Sequence, residues 1–397
     1  MIQNNKTAFT ILSDGLDGGA AQATSNLEKG LRRDGVETSR WHFTPEKQNH
    51  PQHYISLDRG RKRPPFERII KNFNKNLANY LRVKRHILAF KNAIVQRSPK
   101  LLNIHNIHNS GISHLNIPEN LPIIWTMHDC WAFDQHAFAW TDQNGCKCHA
   151  VKDKNSVISK VKVDTLKRIK NNLILVAPSK WLANLAKEKT HGEVRIEHIP
   201  YGVDTDLFSP KDKNLARKEL GLPPKKMWLG SASTWSNSRK GFDILAKALN
   251  QIDCSDIGLL AWGAQPKDPL PSELTVKFSG TISGAERLST NYSACDAFIC
   301  PSRADNLPNT VLESLSCGIP VIGSDTGGIP DMIRENFNGL IFKSNDPENC
   351  KAKVKEAEMK IGNFSDLRNS IRNRVLSDFS IKRQAELYLN IIPQVTY

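Results

Sequence analysis

The chain has 397 residues, 39% hydrophobic and 24% charged, with 55 Lys or Arg against 40 Asp or Glu and a formal charge of +15. That length calls for two packed domains rather than a small cross-linked scaffold, and the composition excludes a disordered tail or a collagen-like repeat. No run approaches the ~18 apolar residues of a spanning helix, and the N-terminal MIQNNKTAFTILSDG lacks the basic region and apolar core of a secretory signal; a cytoplasmic protein is expected.

The first half alternates short apolar runs with helical patterns. Strands are expected at 8–13, 39–43, 101–107, 123–128, 173–178 and 195–199, an order that builds a parallel sheet covered by helices on both faces. Directly after the first strand comes Asp14-Gly15-Leu16-Asp17-Gly18-Gly19. Gly18 and Gly19 let backbone approach a ligand closely, and the helix N-terminus that follows favours an anion. The spacing is not G-x-G-x-x-G, so a plain tight turn reads equally well.

Between Asp58 and Lys100 thirteen Lys or Arg face two acids, a net +11. Phe66, Ile70, Phe73, Leu77, Leu81, Leu88 and Val95 recur among them near helical spacing, which describes an amphipathic basic helix. Residues 58–100 suit an anionic membrane surface, where each nearby cation contributes about 1 kcal/mol. They would also suit nucleic-acid phosphates, or a core-packing helix with a solvated basic face. No zinc-finger or RNA-binding signature accompanies them, and no nucleic-acid partner is expected.

The strand at 123–128 ends on Thr126-Met127-His128-Asp129, where a histidine can meet a substrate or serve a structural hydrogen bond. The eight cysteines are scattered, so buried reduced thiols are expected rather than disulfides. Cys146, Cys148 and His149, with Cys130 and His128 upstream, have the chemistry of zinc ligands but not the paired C-x2-C spacing. Loop and core residues are the plainer reading, and no metal is expected.

Residues 198–213, HIPYGVDTDLFSPKDK, carry two prolines, a glycine and three acids and read as an interdomain linker. The alternation then restarts with strands at 227–232, 257–262, 276–280, 297–301, 320–323 and 340–342, and the chain closes on a helical segment from about 380 to 397. The expected division is 1–199 and 200–379.

In open α/β sheets ligands bind beyond the carboxyl ends of the strands. Two such places in the second half carry chemistry. In Ser238-Arg239-Lys240-Gly241-Phe242, Arg239 and Lys240 offer a bidentate fork and a point charge, the pair that a diphosphate leaving group calls for. In the stretch from 300 to 333, a strand ends at Pro301, a loop carries Asp305 and a helix begins near Pro308. The amides of Asn309 and Thr310 would face the cleft as an anion site. Asp305 and Glu313, eight residues apart, can grip two sets of hydroxyls, a sugar's and a ribose's, by charge-assisted hydrogen bonds.

This stretch resembles the donor-binding signature of retaining glycosyltransferases of family four, in which P-S-x-x-E-G-F-G is followed by a second Glu, A-C-G-x-P-V and a Gly-Gly pair. Gly18-Gly19, His128, Tyr201-Gly202-Val203-Asp204 and Lys240-Gly241 fall in the order that the family shows. The version here, D-N-L-P-N-T-V-L-E followed by G-G-I-P-D-M-I, is similar to enzymes that build bacterial exopolysaccharide, capsule and colanic-acid-like units.

The resemblance implies an α/β protein of the GT-B fold: two Rossmann-like doubly wound domains facing across a cleft, with the terminal helix packing back on the first. The second domain would bind a nucleotide-sugar donor, a UDP- or GDP-sugar, and the first a saccharide or lipid-linked saccharide acceptor. It implies a hexosyltransferase-type enzyme that retains anomeric configuration, needs neither metal nor cofactor, and makes surface polysaccharide in the cytoplasm or at the inner face of the membrane. Glu313 would hold the ribose and Asp305 the sugar hydroxyls. Lys240, with the backbone of Asn309 and Thr310, would hold the diphosphate, while Gly18 and Gly19 border donor and acceptor and His128 sits beside the transferring sugar. His128, Lys240 and Asp305 form the expected catalytic group. No residue pair suggests a double-displacement nucleophile, so front-face attack assisted by the departing phosphate is the expected route.

Two departures stand out. Asp305 is one methylene shorter than the family's Glu, and Thr234 and Trp235 occupy the neighbourhood of an arginine usual before the phosphate lysine, leaving Arg239 as its substitute. Asp204-Thr205-Asp206 matches a D-x-D metal motif, but the resemblance places it in the linker as a hinge feature. The rivals to the enzyme reading are a non-catalytic sugar-nucleotide-binding or scaffold protein and a nucleic-acid-binding protein.

Overall fold

A computed structural model of the chain describes residues 9–43, 51–57, 75–108, 110, 112–134, 140–141, 147–148, 156–233, 237–263 and 268–394. The segment 58–74, Thr234 and Trp235, and Cys146 and His149 lie outside these, so the expectations that rest on them are not addressed.

Two parallel sheets organise the chain. The first contains β1 (Phe9–Ser13), β2 (Thr38–His42), β3 (Tyr54–Ser56), β4 (Leu101–Ile104), β5 (Ile123–Thr126), β8 (Leu173–Ala177) and β9 (Ile196–His198), in the spatial order 3-2-1-4-5-8-9. A short antiparallel pair, β6 (Trp140–Thr141) and β7 (Lys147–Cys148), stands apart from it. The second sheet contains β10 (Met227–Ser233), β11 (Ile257–Gly263), β12 (Thr275–Phe278), β13 (Ala297–Cys300), β14 (Val321–Ser324) and β15 (Gly339–Phe342), in the order 12-11-10-13-14-15. Both orders reverse beside the first strand of the sheet, which is the doubly wound arrangement that opens a crevice at the carboxyl ends.

The apolar runs form strands because both faces of each sheet are covered. Phe9, Ile11, Ile124 and Ile174 pack on one face of the first sheet, and Leu12, Ile104, Trp125 and Leu175 on the other. In the second, Leu229, Leu259 and Ile299 face one core and Trp228, Leu260 and Phe298 the opposite one. Strands buried on both sides read as continuous apolar segments, which is why they are legible in sequence. β3, three residues long and half-buried at the sheet edge, gives no such signal.

Of the helices that cover the sheets, five bear on the site or on the basic surface: α1 (Gly19–Arg33), α2 (Lys75–Arg97), α3 (Phe242–Leu249), α4 (Asn309–Ser316) and α5 (Ile381–Ile391). α5 lies against α1 at Gly30, where a Cβ would stand 2.4 Å from the Ile381 carbonyl oxygen. Ala385, Tyr388 and Ile391 join the core under the first sheet, and the buried Tyr388 hydroxyl hydrogen-bonds Thr126 at 2.7 Å. Val203 in the linker pairs with Ser380, so linker and terminal helix cross from one domain to the other side by side.

The basic helix packs through residues outside the apolar set read from its spacing. His86, Phe90 and Ala93 are the buried face of α2, with His86 Nδ1 bonded to the Ser110 carbonyl at 2.8 Å. Leu77, Leu88 and Val95, grouped in sequence as one apolar stripe, are exposed, Leu88 by 61% and Val95 by 77%. The helix has apolar residues on two sides: one packs into the first domain, while the stripe read from the sequence stays exposed, which departs from the core-packing alternative alone.

Candidate active site

The cleft is built at the carboxyl ends of both sheets. After β10, residues Ser238–Lys240 form a 3-10 turn in which Asn237 Oδ1 accepts from the Arg239 amide at 3.1 Å. Gly241 ends the turn at φ +65°, with no room for a side chain: a Cβ would lie 1.9 Å from the Pro301 carbonyl oxygen. From the neighbouring loop the buried Arg303 grips Asp243 through two bonds of 2.7 Å and the Ser238 carbonyl at 2.6 Å. This bidentate fork locks the turn that bears Arg239 and Lys240 against the loop that bears Asp305.

Lys240 Nζ then meets Asp305 Oδ2 at 2.5 Å, with Arg239 Nη1 3.7 Å from Oδ1 and the Ser302 hydroxyl 3.3 Å from Oδ2. Burial pushes the Asp305 carboxyl up, but the two cations outweigh it and hold the group below its ordinary range. A few residues on, Pro308 caps α4. Among the described residues the amides of Asn309 and Thr310 have no acceptor, leaving a helix N-terminus open to an anion.

Lys240, Arg239, Asp305, Asn309 and Thr310 line one cavity of about 420 Å³ together with Gly19, His128 and Tyr201 from the first domain. Lys240 and Thr310 also border a second cavity of about 480 Å³, set within the second domain and lined by Trp262, Tyr292 and Glu313. Glu313 accepts from the Tyr292 hydroxyl at 2.8 Å, and burial pushes its carboxyl up to about 7. The structure thus gathers Gly19, His128, Arg239, Lys240, Asp305, Asn309 and Thr310 in one place and Glu313 in the adjoining one. Gly18 is set back: at φ +91° it turns the chain into α1 without lining either cavity.

His128 is less free than its position suggests. Its Nδ1 lies 2.6 Å from the Tyr201 hydroxyl and its Nε2 2.9 Å from His105 Nδ1. Burial lowers its pKa to about 4, so the ring is neutral at physiological pH and both nitrogens are occupied by protein. The ring is thus held between Tyr201 and His105.

Several residues of the cleft were not singled out in sequence. Asn306 crosses it: its Oδ1 accepts from the Ser179 hydroxyl at 2.6 Å and its Nδ2 donates to the His128 carbonyl at 3.0 Å. Beside it Asn309 Nδ2 donates to the Gly19 carbonyl at 3.0 Å, and the Lys180 amide to Asp331 Oδ2 at 2.7 Å. Ser179 follows β8, a strand end where a search was warranted; Asn306 had only its place next to Asp305. In the linker, Asp204 pairs with Lys29, and Asp206 lies 2.9 Å from Arg33, so the D-x-D carboxylates are tied to α1. Cys130 is buried with its thiol pushed up by burial.

Comparisons with known proteins agree with this geometry. Residues 17–207 match the model described as Glycosyltransferase Family 4, and residues 224–357 the one described as Glycosyl transferases group 1. The sulfoquinovosyl transferase of Arabidopsis thaliana is 30% identical over 162 residues, 39% of this chain and 31% of that protein. A D-inositol 3-phosphate glycosyltransferase of Segniliparus rotundus is 28% identical over 218 residues, 48% of this chain and 47% of that one. The chain thus spans 31% and 47% of the length of these two curated relatives. The solved structure of sucrose-phosphate synthase from Thermosynechococcus elongatus superposes with a TM-score of 0.74 at 19% identity, covering 98% of this chain and 99% of that one. Anabaena HepE, described in complex with UDP-glucose, has a TM-score of 0.66 at 13% identity, covering 98% and 99%. The two halves thus match two glycosyltransferase family models in tandem, and the fold they build is that of the GT-B proteins.

Proposed function

We propose that the chain transfers a hexosyl group from a UDP- or GDP-sugar to a hydroxyl of a saccharide or lipid-linked saccharide in surface polysaccharide synthesis, with retention and without a metal. The observation that carries this reading is the convergence of two cations, two open helix amides and a carboxylate in one interdomain cavity, joined at Lys240 and Thr310 to a second that holds Glu313. A diphosphate at the junction takes the ammonium of Lys240, the guanidinium of Arg239 and the amides of Asn309 and Thr310. These stabilise the charge that develops as the glycosidic bond breaks, the role a divalent ion would otherwise fill. The sugar hydroxyls meet Asp305 and the ribose hydroxyls meet Glu313. The acceptor enters from the side of Gly19 and His128.

The chemistry asks for no protein nucleophile. Asp305 is held by Lys240 and Arg239, which suits a carboxylate that binds hydroxyls while remaining ionised. The departing phosphate oxygen receives the acceptor proton on the same face, so catalysis rests on positioning and on stabilising the leaving group. A panel of UDP- and GDP-sugars, read by thermal shift and then by release of free nucleotide with oligosaccharide acceptors, tests this: one donor family should raise the melting temperature and be turned over. Stabilisation without nucleotide release from any acceptor would favour the non-catalytic binding protein.

A second surface bears on where the reaction takes place. Leu77, Tyr80, Lys84, Leu88, Lys91 and Val95 form one exposed stripe of α2, apolar and basic residues together. Among the described residues no helix is long and apolar enough to cross a membrane. Such a stripe suits the headgroup region of an anionic bilayer, and we infer that it seats the enzyme at the membrane face where a lipid-linked acceptor is presented.

A further inference from the structure

The proton positions around His128 follow from its neighbours. The Thr24 hydroxyl donates to the Ala20 carbonyl at 2.7 Å, so toward His105 Nδ1, 3.0 Å away, it has only lone pairs to offer. His105 therefore carries its proton on Nδ1. That same nitrogen lies 2.9 Å from His128 Nε2, which must accept. A neutral His128 then holds its proton on Nδ1 and donates to the Tyr201 oxygen at 2.6 Å. His105 Nε2, buried without a partner among the described residues, is left as a bare lone pair. The reverse assignment would bury an N–H with no acceptor, the costlier defect. Burial depresses both imidazoles, which keeps the chain neutral. Tyr201, having accepted from His128, retains its own hydroxyl proton, and it lines the cleft facing Lys240 and Asp305.

We propose that Tyr201 is a further catalytic residue, its hydroxyl held by His128 as a hydrogen-bond donor to an oxygen of the glycosyl group while that group is being transferred, and that His105 is the positioning residue that sets the His128 tautomer. The inference rests on the glycosyl-transfer reading of the cleft. Tyr201 belongs to the segment between the domains, so the linker that connects the two halves also supplies a group to the reaction.

Two measurements test it. Long-range ¹H–¹⁵N spectra of histidine-labelled full-length protein at pH 7 should place the proton on Nδ1 of both His105 and His128; a proton on Nε2 of His128, or an imidazolium, overturns the assignment. In turnover assays Y201F should lose about tenfold, the effect of one hydrogen bond at a reacting centre, with nucleotide-sugar affinity within about twofold of wild type. H105F should fall to the level of Y201F, and the double variant no further, since both act through one bond. H105N, whose amide N–H stands where Nδ1–H was, should recover to within about threefold of wild type, whereas H105Q should not. Wild-type turnover in Y201F contradicts the proposal. Should H105F fail to melt cooperatively, the contrast between H105N and H105Q and the spectra of the unaltered protein decide it. Absence of any nucleotide-sugar binding would instead remove the functional reading, and the tautomers would still be measured.

Discussion

Lys240 neutralises Asp305 in the ligand-free cleft, and the same ammonium is the cation a diphosphate needs. Removing it therefore has two effects with separable readouts. K240M should lower turnover by 10² to 10³, about 3 to 4 kcal/mol of barrier. It also leaves a buried carboxylate with the more distant Arg239 and the Ser302 hydroxyl, which should cost about 2 kcal/mol in denaturant unfolding, since the lysine is part-exposed and water screens some of the pair. Adding D305N should return the stability but not the turnover. An equal loss of stability in the double variant would mean that the pair is not what holds this loop. Glu313 makes a pH-dependent prediction. Its carboxyl is raised to about 7 from an ordinary 4.5, so the folded state binds the proton more tightly than the unfolded one, and stability is lost as pH rises through that window. E313Q should thus stabilise the free protein by about 3 kcal/mol at pH 8 and by less than about 1 kcal/mol at pH 5, while abolishing nucleotide binding. The same gain at both pH values would contradict a buried, uncompensated carboxylate.

At the scale of elements, α2 decides between two uses of a basic helix. Its buried side, His86, Phe90 and Ala93, accounts for packing, while Leu88, Val95, Lys84 and Lys91 face outward. Charge reversal in K84E/K91E/R97E, all exposed positions, should abolish sedimentation with vesicles containing phosphatidylglycerol while leaving the melting temperature within about 2 °C, as expected of surface substitutions. Unchanged vesicle binding would rule out this face. The same helix marks a limit of sequence reading. Apolar periodicity identified a helix but could not choose between two apolar faces, because the choice depends on which side finds Phe43 and the Ser110 carbonyl. The central strands of both sheets were legible, since burial on two faces makes their sequences continuously apolar; the edge strand β3, half-buried and three residues long, was not.

For the whole molecule, function depends on how two domains meet. Asp305, Lys240 and the α4 amides were readable because each follows a strand within one sheet. Asn306, Ser179 and Tyr201 were not, because what they touch belongs to the other domain or to the linker. Asn306 stands where the family pattern has glycine, and its side chain bonds both Ser179 and the His128 carbonyl. The cleft is thereby bridged at the residue next to Asp305, the carboxylate proposed to meet the sugar hydroxyls. His128, read in sequence as a residue beside the substrate, lines the cleft but spends both ring nitrogens on Tyr201 and His105, a consequence of burial that sequence position cannot convey. The central claim is that this junction holds a nucleotide diphosphate sugar, and a crystal structure of the protein with an intact donor tests it most directly. The account predicts the diphosphate within hydrogen-bond distance of Lys240 Nζ and the Asn309 and Thr310 amides, with the ribose against Glu313. A donor bound elsewhere, with Lys240 still closed on Asp305 and both cavities empty, would contradict it.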